Sequence, residues 1–207
     1  ESIVVAASFI MAARELAHIK NKLGLDSEAD HLRTLTDEMT STTQKYGWDG
    51  DWYLRAYDHF GDKIGSKTCD DGKIFIESQG LCPMAGIGLK EGLAEKALQA
   101  VGQYLATEHG VVLLEPPYSS YHLHLGEISS YPPGYKENGS VFCHTNPWVM
   151  IAETILGHGD QALDYYLRIN PSNREAISET HRCEPYVYAQ TIAGKAADHF
   201  GEAKNSW

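Results

Sequence analysis

The sequence predicts an all-α protein in which helical hairpins follow one another and the loops between them gather at one end. Three observations carry this. Residues 2–45 and 146–169 each hold two helix-period apolar stripes joined by a short glycine-containing break, as antiparallel helix pairs require. The segment "HGVVLLEPPYSSYHLHLGEISSYPPGYKENG" has no helical period and is unusually long for a connection, a common property of functional loops. There is no exact internal repeat, so a solenoid of identical units is not expected. A toroid of paired helices fits, with a plain helical bundle as the alternative.

The elements follow in order. Ile3, Ala6, Ala7, Ile10, Ala13 and Ala17 line one face of a helix over about 2–23. Gly24 suits its C-cap, and Asp26 with Ser27 suits the next N-cap. A second helix runs over about 27–45, with Ala29, Leu32, Leu35 and Met39 on one side. "YGWDGDWYLRAYD" alternates aromatic and polar residues, as a short strand or extended loop does. "DDGKIFIES" reads as a strand running into a loop, and 90–106 as a helix. "NPWVMIAETILGHG" and "DQALDYYLRI" form the second hairpin, turning at Gly157–Gly159. "EAISETHRCEPYVYAQTIAGK" is expected to supply one or two more helices, placing Tyr186 and Gln190 on one helical face.

Composition narrows the function. At 207 residues, 43% hydrophobic and 22% charged, the chain is globular. A net charge of −11 argues against nucleic acid or an anionic membrane as partner, and no apolar run approaches a membrane span. Cys69, Cys82, Cys143 and Cys183 form no CxxC pair, so they are expected to be reduced thiols, buried as small apolar residues in a cytoplasmic protein. The chain opens on Glu1 already in helical phase and ends on Trp207, which leads us to expect a piece of a longer protein.

Two constellations invite chemistry. In "WDGDW", Asp49 and Asp51 lie between Trp48 and Trp52. Carboxylates among flat rings suit glycosidic-bond chemistry; the alternative is a turn in which Asp caps, Gly50 takes positive φ and the tryptophans anchor the loop. The second is "GEISSYPPGYKENGSVFCHTNPW". Asn146-Pro147 starts a helix, whose free N–H groups attract anions, and His144 stands just ahead of it. Glu127, Lys136 and Glu137 offer hydrogen bonds, while Tyr131, Tyr135 and Trp148 offer faces for a sugar ring. A loop histidine with an ordinary structural role is the alternative for His144. His122 and His124 lack a third ligand, so no metal site is expected. Motifs for nucleotide phosphates, serine nucleophiles and zinc proteolysis are absent.

Taken together, "GWDGDWYLRAYD", "GKIFIESQG", "GEISSYPPGYKEN", "FCHTNPWVMIAET", "HRCEPYVYAQTIAGK" and "GEAKNSW" resemble the catalytic domain of the glycoside hydrolase family 94 phosphorylases over nearly the whole chain. The resemblance implies an (α/α)6 barrel, of which residues 1–207 would be part. It implies inverting phosphorolysis, with cellobiose and phosphate giving α-glucose 1-phosphate and glucose. Phosphate is then a co-substrate and no cofactor is needed. Another β-glucoside (a cellodextrin, laminaribiose or chitobiose), a hydrolase piece or a carbohydrate-binding module are the alternatives.

Carried over by position, the resemblance makes His144 and Gln190 phosphate ligands. Glu127 becomes a sugar-binding carboxylate near the scissile bond, and Tyr131 with Lys136 the wall of the acceptor subsite. Tyr131 tilts the substrate toward unsubstituted glucose, because chitobiose-cleaving members tend to carry a smaller residue there. The resemblance also implies a general-acid aspartate upstream of Glu1 and a Thr-Gly phosphate loop after Trp207. It implies an amino-terminal β-sandwich and a homodimer in the full-length protein. On that basis residues 1–207 alone are expected to be inactive. Asp49 and Asp51 move toward the structural reading, and Glu77 is left without a role.

Overall fold

The computed structural model describes residues 1–206. Helix α1 (Ile3–Lys22) starts as its sequence predicts, with the Ser2 hydroxyl accepting from the Val5 N–H at 3.3 Å. Gly24 reverses the chain at φ +73°. Helix α2 (Asp26–Gly47) begins one residue early. Leu25 holds the N-cap position without a side-chain bond, and Asp26 is the first helical residue. Its carboxylate meets the positive end of the helix there instead of capping it.

Strands β1 (Ala56–Tyr57) and β2 (Lys63–Ile64) form a small hairpin. Strand β3 (Ile74–Phe75) runs directly into α3 (Ile76–Met84), where the sequence predicts a loop. Ile76 and every residue from Ser78 to Pro83 are buried. A helix buried on nearly all sides carries no amphipathic stripe, so periodicity could not announce it. Helix α4 (Leu93–Ala100) begins after Gly92, later than expected, and continues to Leu105 as a π-helical turn.

Strands β4 (Ala106–Thr107) and β5 (Gly110–Val111) pair with each other, and β6 (Leu114–Glu115) pairs with β3. After the long loop come β7 (Val141–Phe142), α5 (Asn146–Ile155) and α6 (Gly159–Ile169). The last part departs from expectation. Only a four-residue helix, α7 (Ser178–His181), forms there, followed by β8 (Ala189–Ile192) and β9 (Ala203–Ser206). Gln190 therefore lies on a strand, and it shares no helix face with Tyr186. Its carbonyl is engaged by β7 through the Cys143 N–H, a ladder bond that a local helical pattern cannot foresee.

The helices form two rows. Helices α1, α3 and α5 lie side by side with α3 between the others, and α2, α4 and α6 pack against them in turn. This is the arrangement of paired helices that an (α/α)6 barrel-type fold uses, and the short strands cap its loop end. Close approach of α3 and α5 requires Gly80: a Cβ there would come within 2.9 Å of the Trp148 Cβ. At the loop end, Arg55 ties two helix starts together. Its Nε lies 3.3 Å from Glu77 in the first turn of α3, and a terminal nitrogen donates to the Ser2 hydroxyl at 3.3 Å.

Buried amides join the loops to this frame. Gln79 accepts from the Tyr53 N–H at 2.9 Å and donates to the carbonyls of Tyr53 and Phe75 at 2.8 and 2.9 Å. Asn146 does the same for Val111 N–H, Val111 C=O and Phe142 C=O at 2.9, 3.0 and 3.1 Å. Asn146 thus starts α5 without capping it. Each satisfied amide removes backbone groups that would cost about 1–3 kcal/mol if buried alone. Of the cysteines, Cys82 and Cys143 are buried as expected, whereas Cys69 and Cys183 are only half-buried, and all four are free thiols.

Candidate functional site

Strand pairing builds one half of the site. Val141 lies opposite Ile192 and Phe142 opposite Thr191, and the ladder continues as the Cys143 N–H donates to the Gln190 carbonyl at 3.1 Å. His144 follows at once, on the turn that leads into α5. The Gln190 backbone is thereby paired one residue short of His144, which stands beside a helix start. The His144 ring is held edge-on between Phe142 and Trp148, with centroids 4.6 and 5.6 Å away. This partial loss of solvent lowers its pKa, with the negative charge of Glu137 pulling the other way. A neutral imidazole with one N–H, next to a helix N-terminus, suits an incoming anion.

The other half is irregular backbone held in one shape. A 3-10 turn over Gly126–Ser130 presents Glu127. The turn is pinned by Ser129, whose hydroxyl accepts from the His122 N–H at 2.9 Å and donates to the Gly126 carbonyl at 2.8 Å. Glu127 faces the Tyr131 phenol and, as a nearby acceptor and negative charge, raises the phenol's pKa. The Lys136 ammonium sits over the Tyr131 ring, 5.4 Å from its centroid. Lys136 itself adopts φ +47°, a left-handed conformation uncommon for a residue with a Cβ. Glu127, Tyr131 and Lys136 therefore form one group, with two charges of opposite sign around a flat ring.

One residue links the halves. The charge of Glu137 acts on both Tyr131 and His144. One oxygen of its carboxylate is buried without a hydrogen-bond partner. The sequence reading counted Glu137 only among the charged groups of this segment. Its place between the two halves follows from the turn at Tyr135–Asn138, where these two residues form a bridge.

The "WDGDW" motif lies outside this group. Asp49 accepts from Lys63 Nζ and the Ser66 hydroxyl, each at 2.7 Å, and from the Lys67 N–H at 3.0 Å. Burial would raise its pKa, but these bonds outweigh burial and hold it below the usual carboxylate range. Asp51 pairs with Lys67 at 3.0 Å at the surface. Gly50 takes φ +93°, and the Trp52 indole donates to the carbonyls of Gly65 and Lys73. The motif is a folded loop with its carboxylates occupied. Glu77, which the sequence left unassigned, is buried against Arg55, and desolvation raises its pKa. Among the described residues, no group of three or more His, Cys, Asp or Glu is placed to hold a metal ion, the His122–His124 pair included. No helix among them is long and apolar enough to cross a membrane.

Comparison with known proteins points to one family. The family model described as the glycosyl hydrolase 94 superfamily, catalytic domain, matches residues 1–207. The N,N'-diacetylchitobiose phosphorylase of Vibrio proteolyticus is 33% identical over the whole chain, which covers 26% of that protein. The solabiose phosphorylase of Paenibacillus borealis is 33% identical, again over the whole chain and 27% of that protein. The N,N'-diacetylchitobiose phosphorylase of Vibrio furnissii is 35% identical over 86% of the chain and 22% of that protein. The chain spans about a quarter of the length of these relatives. With residues 1–207 all matched by the family model, the chain belongs to the glycosyl hydrolase 94 superfamily.

Proposed function

We propose that the whole protein cleaves a β-linked glucosyl disaccharide with phosphate and inverts the anomeric centre. Cellobiose is the substrate we favour, giving α-glucose 1-phosphate and glucose. The observation that supports this reading is the start of α5, where free helix N–H groups and the His144 ring, held between Phe142 and Trp148, offer donors to an anion. An inverting hydrolase needs a carboxylate base to activate water. We read the donors at the start of α5 as an anion site that takes the place of such a base, with phosphate itself as the nucleophile.

In this reading His144 and Gln190 donate to phosphate, with help from the positive end of α5. A phosphate oxygen forms the bond to the anomeric carbon as the bond from that carbon to the bridging oxygen breaks. Glu127, Tyr131 and Lys136 hold the departing sugar through its hydroxyls and one ring face. The proton for the leaving oxygen comes from an aspartate outside residues 1–207. Two carboxylates that the sequence offers as acid or base, one in the site and one outside it, fit this division. Glu127 is engaged with Tyr131, and Asp49 is consumed by three donors. The isolated 207 residues are then inactive, because general-acid catalysis alone supplies about 10²–10⁴-fold in rate.

The relatives' names include both chitobiose and solabiose, so the sugar is decided by the local wall. A tyrosine at 131, braced by Lys136, leaves little room for an N-acetyl group, which favours an unsubstituted glucosyl acceptor. The test is phosphate consumption by the whole protein with cellobiose and, separately, with N,N'-diacetylchitobiose. Turnover with cellobiose supports the reading; turnover with chitobiose alone contradicts the assignment of Tyr131. Sugar release that ignores phosphate contradicts the phosphorylase reading itself.

A further inference from the structure

Tyr131 and Lys136 lie on backbone that no helix or strand fixes, yet a sugar-facing wall must be held to a few tenths of an ångström. The Asn138 side chain does this. It is fully buried. Its Oδ1 accepts from the Tyr118 N–H at 2.7 Å, while its Nδ2 donates to the carbonyls of Tyr118 and Tyr131 at 2.9 and 2.7 Å. Reversing the amide would set its oxygen against two carbonyls and its NH₂ against an N–H, so this orientation alone satisfies all three bonds. The Asn138 backbone serves the same turn, donating to the Tyr135 carbonyl at 3.0 Å and accepting from the Gly134 N–H at 2.8 Å.

Both ends of this clasp are informative. Tyr118 is buried and follows closely on β6, which is paired to β3 and so to the start of α3. Tyr131 carries the ring that meets Glu127 and Lys136. Between them the turn holds Lys136 in its left-handed conformation, a strain that the surrounding bonds must offset. The Ser140 hydroxyl, donating to the Lys136 carbonyl, fixes the far side of the same turn. Gln79 and Asn146 make similar clasps, but theirs hold strand and helix starts; only that of Asn138 reaches a residue of the sugar-facing group.

We infer that Asn138 is the positioning residue of the acceptor wall, referencing Tyr131 to the helical frame through Tyr118; the inference rests on the proposed phosphorylase reading. Removing the side chain frees the Tyr131 carbonyl, and the turn that carries Lys136 loses its reference. Contacts to the acceptor sugar weaken, whereas His144 and Gln190, held by β7–β8 pairing, keep theirs.

The test uses the whole protein and steady-state kinetics in both directions, varying glucose in synthesis and phosphate in phosphorolysis. For Asn138→Ala the KM for glucose rises about ten- to a hundredfold, the range that a misplaced contact produces, while the KM for phosphate stays within about threefold. Gln79→Ala, the structural comparison, lowers the melting temperature and leaves the ratio of the two KM values unchanged. If Asn138→Ala does not fold, Asn138→Ser, which keeps one hydroxyl for one of the three bonds, shows the same split in smaller measure. Equal changes in both KM values, or none, overturn the role of Asn138. A wild-type protein without phosphate-dependent turnover overturns the phosphorylase reading, and the inference with it.

Discussion

At the scale of single residues, His144 and Asp49 make opposite cases. His144 has ring neighbours at 4.6 and 5.6 Å and the start of α5 beside it, but its pKa is lowered by desolvation. Bound phosphate favours the imidazolium, so phosphate affinity should rise as pH falls toward the histidine range. We expect His144→Ala to weaken phosphate about ten- to a hundredfold, the loss of one charge-assisted hydrogen bond at about 1.5–3 kcal/mol. The KM for the sugar should move by less than about threefold, as steady-state kinetics on the whole protein would show. A parallel rise in both constants would place His144 in the fold instead of the site.

Asp49 is a structural carboxylate. Its folded pKa lies below the unfolded one, so its stabilisation is present above the unfolded pKa and lost as pH falls through the folded value. Asp49→Asn removes the charge from three donors and should cost about 1–3 kcal/mol, read from urea denaturation at neutral pH. The difference from wild type should shrink in acid. In the whole protein, turnover per folded molecule should be unaffected.

At the scale of elements, the turn between α5 and α6 contains a charge relay of a plain kind. His158 lies 2.7 Å from buried Glu153 through Nδ1 and 3.3 Å from Glu95 of α4 through Nε2. The hydrogen bond that His158 donates to Glu153 raises the His158 pKa, and burial raises that of Glu153. A raised histidine pKa means that stabilisation is fully present below the unfolded pKa and is lost as pH rises through the folded value. Urea midpoints should therefore decline from pH 6 to pH 9. His158→Ala should flatten that decline, by no more than about 1 kcal/mol because the imidazole is partly exposed. A decline of equal size in the variant would remove His158 as its cause.

The same scale shows what periodicity can and cannot announce. Helices α1, α2, α5 and α6 were legible because each buries one stripe and wets the other face. Helix α3 was not, since it is buried nearly all round and contains Gly80 and Pro83. Strand β8 was mistaken for helix because its identity depends on β7 and β9, which flank it in space. The candidate site was legible through resemblance and through the Pro147 helix start. The structure alone showed that the Gln190 backbone pairs with Cys143, that Lys136 sits over the Tyr131 ring and that the charge of Glu137 acts on both Tyr131 and His144. Those relations run through turns and ladder bonds with no sequence period.

At the scale of the whole molecule, α1 is apolar on two faces. Ile3, Ala7, Ile10, Ala13 and Ala17 are buried, whereas Val5, Phe9, Leu16 and Ile19 form a second stripe that is exposed. The far flank repeats this with Ile151 and Ile155 on α5 and Leu163 and Leu167 on α6. A row of paired helices with apolar flanks at both ends offers two faces on which further helices could pack. Exposed apolar stripes of this kind drive association. The isolated chain should self-associate at micromolar concentration, as light scattering would register. A stable monomer would contradict the view that these flanks need covering.

Phosphate as the nucleophile is what sets a phosphorylase apart from a hydrolase at this site. The most direct measurement is ³¹P NMR of the whole protein incubated with cellobiose and inorganic phosphate, following the resonance of the sugar phosphate and its anomeric coupling. We predict that α-glucose 1-phosphate appears in step with glucose, and that neither forms when phosphate is left out. Glucose released at the same rate without phosphate, or a β-configured phosphate product, would contradict the account.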